Sequence, residues 1–235
     1  FLDQADGTAW MAVFALKLMR IALELALEDD VFQDIASKFF EHFLYIAQAL
    51  NNIGERGVGL WSETDKFFHD VLNLPDGTMH ELKLRSMVGL IPLLACEVLE
   101  DKTIDRLPGF KKRLVWFVEH RADLARFISY VEKKHHAGRG LLAVPSEDKL
   151  RRVLTLMLAE KEFLSPHGIR SVSMYHRDHP YVMKTGGVEY RMSYDPGEST
   201  TGMFGGNSNW RGPIWLPINY LILESLRRYH QYLGD

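Results

Sequence analysis

A glycine-rich segment near the end of the chain combines the side-chain types that bind sugars. It runs from Gly205 to Leu221 and reads GGNSNWRGPIWLPINYL. A pyranose offers an apolar C–H face to an aromatic ring and a rim of hydroxyls to planar hydrogen-bonding groups. Both kinds of contact are available from Trp210, Arg211, Trp215 and Asn219. The segment therefore predicts a carbohydrate-binding surface.

Gly212 and Pro213 fit the same interpretation. Glycine lets the backbone approach a ligand closely, and proline presets the dihedral of a first helical turn without losing a needed donor. The composition also fits a buried helix start, with the tryptophans in the core and the arginine paired with a carboxylate. The residue types alone leave both interpretations open.

Six segments in all resemble glycoside hydrolase family 63. The string NWRGPIW followed by NYL resembles a signature of that family, which includes processing α-glucosidase I and its bacterial relatives. Trehalases and mannosylglycerate hydrolases are related to it. Five further segments resemble bacterial members in the same order: LDQADGTAWMA from Leu2, GLWSE from Gly59, FFHD from Phe67, RSMVGLIPL from Arg85 and LSPHGIRS from Leu164. The resemblance covers nearly the whole chain. It implies a glycosidase and leaves the sugar open.

Composition excludes several other classes. The chain has 235 residues, of which 46% are hydrophobic and 25% charged, as expected for one globular region. The net charge is −3 and the sequence has no block of basic residues, so it does not predict the positively charged surface that nucleic acid binds. No apolar run reaches the roughly 18 to 20 residues of a membrane span. The single Cys96 predicts a buried thiol and cannot form an intrachain disulfide, so the redox compartment is not fixed.

Residues 1–235 are expected to be one region of a longer polypeptide. The chain starts with Phe1 and enters a helical pattern almost at once. It stops at Gly234-Asp235, just after a predicted helix. The remainder of the same polypeptide is accordingly an expected partner, together with a carbohydrate substrate.

Helical periodicity dominates the chain. It predicts helices over 8–27, 31–50, 82–99, 110–120, 123–134, 148–162 and from Arg211 or Pro213 to Tyr232. The stretch from Arg56 to Leu74 predicts loops with a hairpin, and Phe163 to Asn209 has no helical period. The family resemblance implies an all-α fold, an (α/α)6 toroid of twelve helices. Because about seven or eight helices can be placed here, we expect part of a toroid.

The resemblance also implies where the catalytic carboxyl groups lie. Inverting glycosidases need an acid and a base roughly 6.5 to 9.5 Å apart. In the motif order of the family, the acid precedes the segment that begins at Leu2 and the base follows the Trp-Arg-Gly-Pro helix. Both are therefore expected outside residues 1–235. Glu189, in Glu189-Tyr190-Arg191, faintly resembles the base segment but precedes that helix, which is the wrong order.

Several side chains within the chain are expected at the cleft. Asp6 precedes a helix, where it would either contact the ligand or cap the first turn. Trp10 belongs to the same motif. A second group surrounds Phe67-Phe68 and consists of Trp61, Glu63 and Asp70; it fits sugar binding or a solvated hairpin with Trp61 packed inward. Arg170 and Arg85 are expected to hold loop carbonyls around and under the cleft.

No cofactor or catalytic metal is expected. Two pairs among the ten histidines invite a metal hypothesis, namely His135-His136 and His176 with His179. No cysteine or carboxylate cluster completes a tetrahedral set near them. The sequence also has no phosphate-binding loop, serine elbow or dinucleotide fingerprint.

Arg211→Lys in the parent enzyme is expected to lower kcat/KM at nearly unchanged melting temperature. A guanidinium in the first turn of a helix is repelled by the helix dipole, so it needs a ligand hydroxyl or a carboxylate as partner. Lysine keeps the charge but loses the planar fork. Unchanged kinetics with a melting point several degrees lower would instead identify Arg211 as a structural clamp.

Overall fold

Helices and short strands alternate along the chain. The computed structural model describes residues 1–52, 59–126, 138–197 and 214–234. Within them the α-helices are α1 (Ala5–Leu25), α2 (Phe32–Asn51), α3 (Asp101–Ile104), α4 (Pro108–His120), α5 (Ala122–Ala125), α6 (Glu147–Met157) and α7 (Leu216–Leu233). None of these helices is both long and apolar enough to cross a bilayer.

The strands form small antiparallel sheets. Their bounds are β1 (Leu2–Asp3), β2 (Trp61–Ser62), β3 (Phe67–Phe68), β4 (Asp70–Asn73), β5 (Met79–Leu82), β6 (Cys96–Glu100), β7 (Arg139–Ala143), β8 (Leu164–Ser165), β9 (Gly168–Ile169), β10 (Tyr181–Thr185) and β11 (Val188–Met192). The described part of the chain thus contains one three-stranded sheet, in the order β1-β4-β5, and four two-stranded sheets.

The chain divides into two compact units. The first comprises Phe1–Ala5, Leu60–Ile91 and Asp148–Leu221. The second comprises Asp6–Gly59, Pro92–Glu147 and Ile222–Asp235. Each unit is thus assembled from three separate stretches of sequence.

In the first unit, aromatic rings fix how the hairpin segments pack. Phe67 of β3 stacks on Phe163 with ring centroids 5.6 Å apart, and both rings are buried. Gly89 lies against the Phe67 ring, where a Cβ atom would stand 2.2 Å from Phe67 Cε1. Only glycine allows so close an approach. The motif glycine is therefore explained by packing.

The second unit has a helical core beside the β6–β7 ladder. Phe40 of α2 is fully buried and makes edge-to-face contacts with Phe110 and Phe117 of α4. The Gln33 side-chain oxygen accepts hydrogen bonds from the amides of Gly109 and Phe110, at 2.9 and 3.2 Å, and so caps the start of α4. These contacts join α2 to α4.

The expectation of an all-α fold is corrected by these strands, because the described architecture is mixed. The clearest error concerns residues 82–99, which form two short 3-10 turns, Met87–Gly89 and Ile91–Leu94, followed by strand β6. Gly89 and Pro92 interrupt a helix there, and a continuous apolar run does not distinguish a buried strand from a helix. The buried Cys96 thiol is confirmed, and burial raises its pKa to about 11.

Other helices agree with the periodicity, apart from their ends. α1, α2, α4, α6 and α7 are confirmed. Of the helix expected over 123–134, the described residues contain only α5, and the remainder from Phe127 onward lies outside them. The hairpins predicted between Arg56 and Leu74 are confirmed from Trp61 onward as β2, β3 and β4, the last of which pairs with β1 and β5.

Candidate functional site

A cavity of about 230 Å³ opens in the first unit, beside the Leu164–Ser171 motif. It is smaller than the roughly 300–1,000 Å³ pockets of drug-sized ligands, and so suits a single ring. Its walls are the loop between β8 and β9, the segments that follow β9 and β11, and a residue two positions before α7. They consist of Ser165, Pro166, His167, Arg170, Ser171, Val172, Tyr194, Asp195, Pro196 and Ile214.

Asn219 fixes one wall of this cavity. Its side-chain oxygen accepts a hydrogen bond from the Ile169 amide at 2.7 Å, and its side-chain nitrogen donates to the Ile169 carbonyl at 3.2 Å. The same nitrogen donates to the Trp215 carbonyl one turn earlier in α7, at 2.9 Å. The amide thus binds the backbone of β9 as a neighbouring strand would. Asn219 therefore acts as a positioning residue.

Gly168 is required for this contact. Its φ is +131°, and a Cβ atom there would lie 2.8 Å from the Asn219 side-chain oxygen. Ser165 closes the same turn: its hydroxyl donates to the Gly168 carbonyl at 2.7 Å and accepts from the His167 amide at 3.1 Å. The Pro166-His167 tip is thereby held in one shape.

Arg170 holds the other side of the loop. Its Nη1 donates to the backbone carbonyls of Glu160, Glu162 and Leu164, which confirms the expectation that it binds loop carbonyls. Its guanidinium carbon lies 5.9 Å from the centroid of the Tyr194 ring. This geometry places a cation and an aromatic ring together in the cavity wall.

A charged cluster around Arg85 lies in the same unit. Arg85 Nη2 pairs with Asp65 at 2.7 Å, and Nη1 pairs with Glu162 at 2.5 Å. The guanidinium also lies 4.5 Å from the Tyr175 ring centroid. The expectation that Arg85 binds loop carbonyls is therefore corrected, because its partners are two carboxylates. The Glu162 carboxylate also accepts a hydrogen bond from the Ser173 hydroxyl.

Asp65 remains ionised in this cluster. Burial opposes the charge, but hydrogen bonds from His69 and Arg85 outweigh it and hold the pKa of Asp65 well below its usual range. His69 Nε2 lies 2.7 Å from the Asp65 carboxylate. The carboxylate therefore links the Trp61–His69 hairpin to Arg85.

His176 completes the cluster from the other side. Its Nε2 accepts a hydrogen bond from the Arg85 amide at 2.9 Å, and its Nδ1 lies 2.9 Å from the His179 carbonyl. These partners require the neutral ring with the proton on Nδ1. Burial lowers the pKa of His176 below its ordinary value, which favours the same form.

Trp61 lies at a partly exposed surface of the first unit. Its ring nitrogen donates to the Glu63 carboxylate at 3.0 Å, and Lys149 Nζ lies 5.3 Å from the centroid of its ring. The ring meets Phe68 edge to face. Phe67 and Phe68 are themselves buried, so neither ring is accessible to a ligand, and Phe68 supports Trp61 from within.

The remaining sequence-predicted residues lie elsewhere. Asp70 is buried and accepts the amide hydrogen of Ala5 at 2.8 Å, which caps the start of α1. Asp6 lies inside the first turn, where its carboxylate accepts from the Gly7 amide at 2.7 Å. Trp10 packs against Phe14 in the second unit. Outside the described residues lie Trp210, Arg211 and Gly212, together with His135 and His136.

Sequence reasoning missed Tyr194 as a cavity residue and missed the pairing of Arg85 with the carboxylates of Asp65 and Glu162. No local pattern indicates either, since each depends on segments that are distant in sequence. Over the described ranges, no three histidine, cysteine or carboxylate side chains lie close enough to hold a metal ion.

The chain belongs to glycosyl hydrolase family 63, since residues 3–235 match the model of the family's C-terminal domain. It is 48% identical over 246 residues to the "Uncharacterized protein YMR196W" of Saccharomyces cerevisiae; the match covers 100% of this chain and 22% of that protein. It is also 37% identical over 96 residues to the "Probable mannosyl-oligosaccharide glucosidase" of Schizosaccharomyces pombe, covering 40% of this chain and 8% of that protein. Both relatives are fungal, and the chain spans a small part of each.

Asn219→Ala is expected to lower the free energy of unfolding by about 1–3 kcal/mol, because three hydrogen bonds are lost. Hydrogen exchange at the Ile169 amide should accelerate as β9 separates from α7. Tyr220→Ala, at the exposed neighbouring position, is the matched control and should change stability by no more than about 0.5 kcal/mol. Equal effects of the two substitutions would contradict the positioning role.

Stability is expected to fall as the pH drops through the ordinary His176 pKa of 6.5. Because the folded-state pKa is lowered, the unfolded chain binds a proton first, so stability is lost below 6.5 until the folded-state pKa is reached. His176→Gln keeps an acceptor and a donor but cannot titrate. Urea denaturation from pH 8 to pH 5 should therefore show a weaker pH dependence in this variant.

His80→Gln is the control, since His80 is exposed on β5. It should retain the parent's pH dependence. An identical pH profile for the parent chain and His176→Gln would contradict the assignment.

Proposed function

We propose that the polypeptide containing this chain is an inverting α-glycosidase that hydrolyses a glucoside or a short oligosaccharide. The observation that carries the proposal is the cavity beside Leu164–Ser171, in a chain that belongs to a glycoside hydrolase family. The helix that fixes its wall, α7, begins three residues after the Trp-Arg-Gly-Pro string in the sequence. Similarity to a probable mannosyl-oligosaccharide glucosidase of fission yeast favours a glucose-terminated oligosaccharide as the substrate class.

The cavity has the chemistry needed for one sugar ring. Tyr194 offers an aromatic surface to the C–H face of a pyranose. His167, Ser171 and Asp195 offer polar atoms for its hydroxyls. Arg170 is occupied by three carbonyls and keeps the loop in place. From the sequence, Trp210, Arg211 and Trp215 would extend this surface toward further sugar units, with Gly212 permitting close approach.

The general acid and base are proposed to come from outside residues 1–235. Inversion requires one carboxylic acid and one carboxylate that flank the scissile bond. Three carboxylates in or near the motifs instead make structural contacts. Asp65 and Glu162 pair with Arg85, and Asp70 accepts a hydrogen bond from the Ala5 amide. Asp6 is the alternative acid within the chain.

The architecture proposed for the whole domain is the helical toroid implied by the family resemblance. This chain would contribute its long helices together with the strand-containing loops that form the cavity. Residues 1–235 would then be a single region of one catalytic domain. Trp10, Trp61 and Glu63 remain proposed contributors to substrate binding in that assembly.

The second candidate is a noncatalytic carbohydrate-binding or scaffold segment. The structural contacts of Asp65, Asp70 and Glu162 favour it for the isolated chain. Each of these carboxylates is engaged by a protein partner, so none is available as the general acid or the general base. Sugar binding by residues 1–235 without turnover, alongside an inactive full-length polypeptide, would support this candidate.

In the full-length polypeptide, Asp195→Asn and Tyr194→Ala are expected to lower kcat/KM for an α-glucoside. Tyr194→Ala should also lower the melting temperature, because Tyr194 packs against the cluster of Leu84, Val172 and Met192. Loss of a charge-assisted hydrogen bond predicts a roughly tenfold to hundredfold effect for Asp195→Asn. Loss of ring stacking predicts a roughly threefold to tenfold effect for Tyr194→Ala. Tyr190→Ala is the matched control, at an exposed position of β11.

Unchanged kcat/KM in both cavity variants would contradict the assignment of the cavity.

The isolated chain should release no glucose, since loss of a general acid or base typically costs about 10²–10⁴-fold in rate. Glucose release by residues 1–235 that Asp6→Asn abolishes would instead place the acid within this chain.

A further inference from the structure

A depression of about 300 Å³ in the second unit is lined by helices α2 and α4. Its lining consists of Asp34, Gly109, Lys112, Arg113 and Trp116. Asp34 lies in the first turn of α2, and the other four residues belong to α4. Positions 109, 112, 113 and 116 are mostly three or four residues apart, so they share one face of the helix. One face of α4 therefore forms most of the depression.

The indole of Trp116 is held in place although it is 44% exposed. The imidazole of His120 stacks on it, with ring centroids 5.3 Å apart and the planes 9° from parallel. The buried ring of Phe117 meets it edge to face at 5.2 Å. His120 follows Trp116 by one helical turn and Lys112 precedes it by one turn, so the two flank the indole from opposite sides. The indole face turned away from His120 is therefore available to a ligand in the depression.

Three charged side chains in the same depression have no partner in the described part of the chain. The carboxylate of Asp34, the ammonium of Lys112 and the guanidinium of Arg113 make no ion pair or hydrogen bond with any described residue. On the same helix, by contrast, Lys111 pairs with Asp105 at 2.7 Å. A single exposed apolar side chain is normal on a protein surface. An aromatic ring that shares a concave surface with three unpaired polar groups instead has the composition of a binding site.

We propose that this depression is a second carbohydrate site, which binds one hexose ring of an oligosaccharide without cleaving it. Trp116 stacks on the apolar C–H face of the ring. Lys112 and Arg113 donate hydrogen bonds to its hydroxyls, and Asp34 accepts hydrogen bonds from them. A sugar hydroxyl both donates and accepts, so it satisfies this mixed set of groups. A phosphate group fits the set less well, because the Asp34 carboxylate repels it.

The size and the carboxylate content of the depression favour binding over hydrolysis. Its volume of about 300 Å³ is at the lower limit for ligand pockets and suits one ring of a longer glycan. Asp34 is the single carboxylate among the described lining residues, whereas glycoside hydrolysis needs two. Membership of a glycoside hydrolase family makes a glycan the favoured class of ligand. The inference goes beyond the proposed hydrolase activity, since this site can bind sugar whether or not the polypeptide is an active enzyme.

Lysine acetylation in the full-length polypeptide tests the proposal. Lys112 lines the depression, whereas the adjacent Lys111 is paired with Asp105 and serves as the matched control. The probes are maltotetraose and α-mannotetraose, added separately, and the reagent is N-acetoxysuccinimide. Mass spectrometry should show that at least one of these oligosaccharides protects Lys112 from acetylation and leaves the acetylation rate of Lys111 unchanged.

The oligosaccharide concentration that gives half-maximal protection of Lys112 measures the affinity of this site alone. Trp116→Ala should raise this concentration roughly threefold to tenfold, because ring stacking is lost. Arg113→Gln, which changes an exposed side chain, should raise it roughly tenfold, because a charge-assisted hydrogen bond is lost. Val115→Ala, at an exposed position outside the depression, is the matched control and should leave it unchanged. Asp195→Asn should also leave it unchanged, because Asp195 belongs to the cavity of the first unit.

Several outcomes would overturn the proposal. They are a lack of protection by both oligosaccharides, equal protection of Lys111 and Lys112, an unchanged affinity in both Trp116→Ala and Arg113→Gln, and protection of Lys112 by sodium phosphate but by neither sugar. Hydrolysis of an α-glucoside, measured on the same preparation, separates this inference from the proposed function. Hydrolysis without protection of Lys112 would refute the second site alone, and protection without hydrolysis would refute the proposed hydrolase activity alone.

Discussion

The carboxamide of Asn219 joins two segments that lie fifty residues apart, and the cavity wall depends on it. Its oxygen and nitrogen bind the amide and carbonyl of Ile169, so one side chain replaces a pair of strand hydrogen bonds. Gly168 provides the space, since any Cβ atom there would collide with the Asn219 oxygen. The Pro-His-Gly loop and the helix after Trp-Arg-Gly-Pro are thus held as one structural element.

A half-buried cluster of charges joins two further segments of the first unit. Arg85 pairs with Asp65 of the Trp61–His69 hairpin and with Glu162 of the segment between α6 and β8. It therefore joins these two parts of the chain. Burying such groups costs solvation free energy, which ion pairs and hydrogen bonds must offset. Removal of Arg85 would leave two carboxylates without their shared cation. The main effect of the cluster is therefore to fix the position of the hairpin that carries Trp61 within the first unit.

Periodicity predicted the long helices because each buries a regularly spaced apolar face, as α2 does with Phe40, Phe43 and Leu44. It failed for residues 82–99, because the run from Met87 to Cys96 contains no polar residue and therefore shows no helical period. Short strands such as β8 and β9 were missed because two-residue ladders depend on partners and not on local preference.

The motifs located the region of the site but not the role of each residue. Asn219 was expected to bind a ligand, whereas its hydrogen bonds go to Ile169, and sequence gives no sign of a partner fifty residues away. Asp70 likewise binds the start of α1. The roles of Trp210, Arg211 and Gly212 still rest on the family resemblance. Family membership itself was recognisable because several motifs occur in one order.

The most direct test is a crystal structure of the full-length polypeptide with an iminosugar, whose protonated ring imitates the oxocarbenium-like transition state. The account predicts that a sugar ring lies in the cavity, with polar atoms of His167 or Asp195 within about 3.2 Å of its hydroxyls and Tyr194 against its C–H face. An iminosugar bound elsewhere, with none of these three residues in contact, would contradict the account.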